Sequence, residues 1–415
     1  MSKKCIVIGG GIIGLCTAYY LAKSGHRVTV IDRGGMNSGA SYVNAGYITP
    51  SHIIPLSSPG IITKGIKWML HSSSPFYVKP RLDKNFLQWA WAFKKSATPA
   101  KVERAIPIIK DINLFSRDLY EDIKQTQDFT FSYQRKGLLM CYKTAGGEKE
   151  EHETAEVGLK EGMNVMHLSA NELNQKFPSA GYNVKGAYFY ESDAHMTPNE
   201  FMGQLTSFLN NNDVVILKET EVEGFKTFQD KIISVQTSIG DLQADEVILA
   251  AGSWTGNLAK KLKISIPIEA GKGYSFNIYR DTGIVLPSIL AEAKVAVTPM
   301  VGFTRFAGTM ELGGINDIVN PVRVEAIANA AKEYFNGLTI NKEEKESATS
   351  GLRPCSPDGL PFIGRFKKWK NLSVGAGHAM MGWSLGPATG KLLTEIIDNK
   401  KTSLDLTPFN PDRKF

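Results

Sequence analysis

Arg353 and Asp358 are the only charges between Ala348 and Gly364, in a stretch that reads GLRPCSPDGLPFIG from 351 to 364. A guanidinium stays protonated at any working pH, and its planar fork of donors suits an anion held by two parallel bonds. Among glycine, proline and apolar neighbours, Arg353 has two readings. One is an internal ion pair with Asp358; the other is a socket for an anionic ligand. Asp358 has a role of its own, because Asp before Gly, as in SPDG, forms turns.

The second chemical constellation lies at the start of the chain. KKCIVIGG reads as a short buried strand, and GGGIIG follows at once with Gly9, Gly11, Ile12, Ile13 and Gly14. LCTAYYLAKSG continues with helical spacing to Gly25, and HRVTVID is a second strand ending in Asp32. Strand, glycine turn, helix, strand and acid in this order form the complete dinucleotide-binding fingerprint. Gly9 permits the tight turn, Gly11 lets backbone approach a pyrophosphate, and Gly14 lets helix pack on strand. The helix N-terminus supplies N–H groups to that pyrophosphate. Asp32 is placed to accept from a ribose, and its charge argues against a 2′-phosphate there. The fingerprint leaves NAD and FAD open.

These elements sit in a chain of 415 residues, enough for two or three cores. Hydrophobic content of 42% and charged content of 21% are those of an ordinary folded protein. The net charge of +7 points to negative partners: small carboxylates, nucleic acid or an anionic membrane surface. No long basic block with interleaved aromatics occurs, so nucleic acid is disfavoured. Four cysteines are widely spread without a C-x-x-C pair, which argues against a metal site or disulfide framework and for a reducing cytoplasm. Cys5–Ala22 is uncharged and follows two lysines, as a signal peptide would. Its glycines and the lack of an A-x-A-like cleavage site favour the nucleotide-binding reading instead.

Three more segments look built for close backbone contact. Residues 34–63 contain no charge apart from the neutral His52 and are dense in Gly, Ser, Asn and Pro. DLQADEVILAAGSWTG ends an apolar strand in small residues, and NLSVGAGHAMMGWSLGPATGKLLTEII reads as strand, glycine loop and a helix starting near Gly382–Ser384.

Taken together, GGGIIG, SGAS…NAG, VILAAGSW, GLRPCSPDGLPFIG and GHAMMGWSLGPATG resemble the D-amino acid oxidase-type (DAO) family of FAD-dependent oxidoreductases. Within it the likeness is to the bacterial D-amino acid dehydrogenase small-subunit group, from the first strand to about Ile397. The resemblance implies that Gly9, Gly11, Gly14 and Asp32 bind the ADP part of FAD. Arg33, Ser41, Asn44, Ala45 and Gly46 would line the pyrophosphate and flavin. Val222 would meet adenine through its backbone, Ala251 and Gly252 would form a second nucleotide-facing turn, and Met381, Gly382, Trp383 and Ser384 would lie beneath the flavin's pyrimidine end. Arg353 would hold a substrate carboxylate, and Tyr274 and His52 are the further substrate-binding candidates. His378 is the one candidate for catalytic proton transfer.

Some members of the family tether flavin through a cysteine five residues before the S/T-P-D triplet. That position is Gly351 here, which implies non-covalent FAD. An arginine found in the GH-x-x-x-G loop of glycine oxidase-like members is replaced by Ala379, Met380 and Met381, favouring apolar or ring-shaped side chains. The implied fold is α/β: a Rossmann-like FAD-binding domain from 1–80, 190–256 and 340–415, with a second α+β substrate domain from 81–189 and 257–339 on a mostly antiparallel sheet. The implied activity is oxidation of a D-amino acid to the imine and 2-oxo acid, with electrons passed to a quinone or another electron-transfer partner. Alternatives are a D-proline or hydroxy-D-proline dehydrogenase, a glycine/sarcosine-type oxidase, or a non-catalytic flavin-binding electron-transfer subunit. Residues 61–93 mix tryptophan and phenylalanine with lysine and arginine, which fits helices packed on the FAD-binding domain with a basic outer face, or peripheral contact with the inner face of a membrane.

Overall fold

The first strand, Lys4–Ile8, alternates its side chains between two separate cores. Cys5 and Val7 join one apolar cluster, and Ile6 and Ile8 join another. A strand buried on both faces belongs in the middle of a parallel sheet with layers on either side. The computed structural model of the protein, which describes residues 1–60, 74–79, 81 and 83–415, has this arrangement.

Lys4–Ile8 pairs in parallel with Arg27–Ile31 on one side and Glu246–Leu249 on the other. Val215–Leu217 extends the sheet beyond Arg27–Ile31. Leu372–Ala376 continues it in parallel and Phe362–Arg365 closes it antiparallel, making six strands. One face is covered by the helices Ile12–Lys23, Pro99–Gln125, Pro198–Asn211 and Gly386–Ile397. The other is covered by a small three-stranded antiparallel sheet that contributes Val222, Ile232 and Val235. Because the strand order reverses about Lys4–Ile8, a crevice opens at its carboxyl end, where such sheets bind nucleotides.

A second sheet has nine strands, antiparallel except for two parallel pairings, one of Ser288–Leu290 with Leu138–Tyr142 and one of Phe303–Leu312 with Phe76–Val78. Its centre is built from Glu269–Ile278, Phe303–Leu312 and Val295–Met300. Tyr274, Phe276 and Ile278 point to a core closed by the helix Pro321–Tyr334, and alternate residues point the other way. Two strands depart from the expected domain boundaries. Thr349–Cys355 pairs with Glu269–Ile278, and Phe76–Val78 pairs with Phe303–Leu312. The strand that carries Arg353 is therefore an edge of the second sheet, while the strand that follows it lies in the first. A third, three-stranded sheet of Tyr47–Ile48, Ala194–Met196 and Tyr133–Gln134 stands between the two.

Candidate active site

The nucleotide-binding end forms from the glycine turn after Lys4–Ile8. Gly9 has a φ of +117°, and a Cβ there would overlap the carbonyl of Ala250. A Cβ on Gly14 would overlap the carbonyl of Gly9, so only glycine lets this helix sit so close to its strand. Gly11 precedes the helix Ile12–Lys23 without a side-chain cap of its own; Ser41 Oγ instead accepts from Ile12 N at 3.0 Å. This bond brings Ile12, Ile13 and the 41–46 segment together around the helix N-terminus, a favourable place for a pyrophosphate. Asp32 accepts from Gly10 N at 2.7 Å and Gly34 N at 2.8 Å, which fixes its carboxylate at the mouth of the turn. Arg33 stacks on the indole of Trp254, its guanidinium carbon 4.0 Å from the ring centre. Thr220 N donates to Asp32 O, which holds the segment leading into Val222 against the same turn. Ala251 follows the end of Glu246–Leu249, and Gly252, with φ of +53°, opens a short 3-10 turn there.

From this end the 42–46 segment runs across the open face of the nine-stranded sheet. Gly46, at φ +74°, lies so close to Met196 that any side chain would overlap its carbonyl, and Asn44 Oδ1 accepts from Gly46 N at 2.8 Å. A lateral row of the sheet grips the segment's carbonyls. Arg305 Nη1 donates to Tyr42 O at 2.9 Å and Asn44 O at 2.7 Å, and Thr298 Oγ1 donates to Ala45 O at 2.8 Å. Asn277 stands opposite Arg305 and accepts from its Nε at 3.0 Å. Arg305 is 4% exposed, and among the described residues it has no acidic partner. Burial draws its pKa down to about 10. Arg305 is absent from the candidates above, although it is the only charge from 295 to 310, the same signal that singles out Arg353.

Arg353 lies on that same open face. Its register partner is Gly271, and a Cβ on Gly273 would overlap its guanidinium, so two glycines form the floor beneath it. Ser275, the next residue on this face, donates to Val43 O at 3.3 Å. Successive residues on one face are about 7 Å apart, so the guanidinium stands roughly one such step from the gripped segment. Nη1 donates to Thr309 O at 2.8 Å. Burial lowers the Arg353 pKa, and no described carboxylate reaches it. Asp358 pairs instead with Arg413, at 2.8 and 2.9 Å, and accepts from Leu360 N. The internal Arg353–Asp358 ion pair does not form.

Gly351 occupies the tether position. A Cβ there would meet Val43 Cγ2 at 2.7 Å and Ala40 Cα at 2.9 Å, leaving no room for a thiol.

The last glycine loop closes the site. Ser384 Oγ donates to Tyr47 O at 3.0 Å and accepts from Thr49 N at 3.1 Å, and Tyr120 donates to Trp383 O at 2.7 Å. The expected helix start near Gly382–Ser384 is corrected here. Ala379–Met381 is a 3-10 turn, residues 382–385 form a further turn, and the α-helix runs from Gly386 to Ile397. Pro387, at the second helical position, suits a start there, since its missing N–H falls among groups without intrahelical partners.

Three substrate or proton-transfer candidates have side-chain partners of their own, although His378 Nδ1 has none among the described residues. Tyr274 sits on the core face, opposite to Arg353, with its hydroxyl on Glu311 Oε2 at 2.8 Å. Strand alternation alone separates it from the guanidinium, and it is corrected from candidate ligand to core residue. His52 meets Ser51 Oγ at 3.2 Å, and that hydroxyl donates to the buried Asp193 at 2.5 Å. Burial, reinforced by Lys294, lowers the His52 pKa to about 4. His378 is buried, with Nε2 2.9 Å from Thr389 Oγ1, and burial lowers its pKa to about 3. Both rings are therefore neutral near pH 7.

A family model described as FAD dependent oxidoreductase matches residues 4–396. The chain belongs to the DAO family of FAD-dependent oxidoreductases. It is 29% identical to D-amino acid dehydrogenase of Granulibacter bethesdensis, over 97% of each chain. Identity to the D-amino acid dehydrogenase of Helicobacter pylori is 32%, over 95% of each chain. The fold is that of glycine oxidase from Geobacillus kaustophilus, with a TM-score of 0.79 and 21% identity over 100% of this chain and 99% of that one. The cradle of Gly9, Gly11, Gly14 and Asp32, continued by a carbonyl-gripped 42–46 segment, fits the elongated dinucleotide that gives the DAO family its cofactor.

Proposed function

We propose that the protein oxidises a D-amino acid at its α-carbon and passes the electrons to a quinone or another membrane-associated acceptor. One observation carries this reading: the Arg353 guanidinium, without a carboxylate partner, stands over Gly273 about one strand step from the 42–46 segment. A partly buried cation in this position favours an anion that brings its own charge, and an α-carboxylate matches the fork bidentately. FAD, held by the turn of Gly9, Gly11 and Gly14 and by the 42–46 segment, would supply the acceptor for a hydride from the substrate α-carbon. Arg353 holds the carboxylate and so limits where the α-carbon can sit, which is part of the orientation such a transfer requires. The apolar residues beside it exclude water. Trp89, Met310, Cys355 and Ala379 form one buried cluster next to the anchor strand. Gly271 lies within reach of Met310, whose Sδ would be 3.4 Å from a Cβ there. This wall supports an apolar or ring-shaped substrate side chain rather than glycine. The imine leaves and is hydrolysed to the 2-oxo acid and ammonia; a cyclic substrate gives a ring imine. Neither His52 nor His378 needs to act as a base, in keeping with their depressed pKa values.

The membrane side of the reading rests on the helix Lys84–Ser96. Phe86, Trp89 and Phe93 pack inward, while Leu87 and Trp91 are 53% and 59% exposed on the opposite face. Lys84, Lys94 and Lys95 flank them, and the helix contains no acid. An apolar strip with a basic border suits an anionic lipid surface. Trp68 and the remainder of 61–73 lie outside the described residues. Among the described residues no helix is long and apolar enough to cross a membrane.

Anaerobic mixing of the yellow holoenzyme with a panel of D- and L-amino acids tests the proposal. Bleaching by apolar or cyclic D-amino acids, reversed by a quinone, is the expected result. Bleaching by L-isomers alone, or by none of the panel, would overturn it.

A further inference from the structure

We infer that Thr309 is a second substrate-binding residue, its hydroxyl set beside the Arg353 guanidinium by a β-bulge. The inference rests on the reading of Arg353 as the carboxylate anchor.

The bulge is visible in the register. Lys272 faces Glu311 and Tyr274 faces Gly308, so two residues, Thr309 and Met310, stand opposite Gly273 alone. An extra residue of this kind bends one strand and re-aims its neighbours. Met310 turns toward the glycine floor, beside Gly271. Thr309 takes a φ of +59°, a left-handed conformation that is strained for a β-branched residue and easy for glycine. The turn directs the Thr309 carbonyl at Arg353 Nη1, 2.8 Å away.

A glycine at 309 would make the same turn without strain, so the threonine side chain is what needs explaining. Its hydroxyl is unusual. Thr309 is 6% exposed, and Oγ1 has no hydrogen-bond partner among the described residues. A hydroxyl buried in this state is unfavourable unless a ligand completes it. A threonine Oγ1 lies within about 5 Å of its own carbonyl oxygen, and that oxygen touches the guanidinium. A carboxylate held by Arg353, whose two oxygens can bridge such a span, is within reach of it. The hydroxyl donates to a carboxylate oxygen while the guanidinium fork supplies the charge. Strain at a position with an unfilled polar group is the pattern expected of a binding site.

Benzoate, a monocarboxylate with no α-hydrogen to lose, is the probe. Its binding to oxidised holoenzyme is followed through flavin absorbance for wild type, Thr309→Val, Thr309→Gly, Thr309→Ser and Arg353→Ala. Both variants without a hydroxyl should bind benzoate about tenfold more weakly. Thr309→Ser should stay within about twofold of wild type, and flavin content and the ligand-free spectrum should be unchanged throughout. Because glycine relieves the turn and valine does not, equal losses in the two would assign the effect to the hydroxyl rather than the backbone. Should valine prevent folding, the glycine and serine pair decides alone. If both hydroxyl-free variants bind like wild type while Arg353→Ala does not, the role of Thr309 is refuted and the anchor stands. Full affinity in Arg353→Ala, or a wild type blind to benzoate, would count against the anchor itself.

Discussion

The guanidinium of Arg353 fills the space that a side chain on Gly273 would need. A glycine at 273 is thus required by the placement of this guanidinium, not by the strand. Gly273→Ala should displace Arg353 and raise KM for the amino acid at least tenfold. Arg353→Ala should raise it further, and both should retain yellow flavin. Steady-state kinetics beside a flavin-to-protein ratio would check this; an unchanged KM in Gly273→Ala would mean that the guanidinium has another place to sit.

Arg305 is expected to govern cofactor retention. Arg305→Met keeps much of the side-chain volume but leaves the carbonyls of Tyr42 and Asn44 without their donor. Hydrogen bonds from a charged group contribute roughly 1.5–3 kcal/mol each. FAD affinity should therefore fall by tenfold or more, read from the fluorescence of flavin released on dilution. Arg305→Lys, a single ammonium without the planar fork, should recover only part of the loss.

Asp193 makes stability depend on pH. It is fully buried, and burial raises its pKa from 3.8 to about 7 against the opposing hydrogen bonds of Ser51 and Ser192. Its protonated form therefore favours the folded state. Stability from this group is full below about pH 4 and is lost as pH rises through 7, up to about 4 kcal/mol in all. Asp193→Asn removes the titration. The stability of the variant minus that of wild type should grow from pH 4 to 7 and level off above pH 8, measured by urea unfolding. A flat difference would show that Asp193 is already ionised in the folded protein at low pH.

The exposed strip of Lys84–Ser96 can be tested without touching the site. Leu87→Glu with Trp91→Glu should abolish binding to vesicles containing anionic lipid, and salt should weaken wild-type binding. Turnover with a soluble acceptor should be unaffected. Retention on vesicles by the double variant would place any membrane contact elsewhere.

Much of this was legible in the chain before any fold. The parallel core, the glycine turn and Asp32 follow from short-range pattern, because each residue's task is set by its immediate neighbours. Arg353 was legible for a different reason, as a charge isolated in an apolar stretch. Tyr274 was misread because alternation fixes only relative faces; which face meets the ligand depends on the register with Thr349–Cys355. Sequence pattern puts the start of the last helix too early, since a 3-10 turn and an α-helical turn share similar composition. Arg305 and Thr309 owe their positions to partners far away in sequence, at Asn277 and Gly273, and a bulge leaves no mark in a single strand's residues.

Arg413 reaches back from the end of the chain to grip Asp358 and the carbonyls of Leu360 and Pro361. Those residues make the short corner by which the polypeptide passes from one sheet to the other, immediately after Cys355. Arg413 therefore braces the corner between the layer that carries the guanidinium and the layer with the nucleotide-binding turn. Geometry at the reacting end is in this way set partly by residues that never approach it.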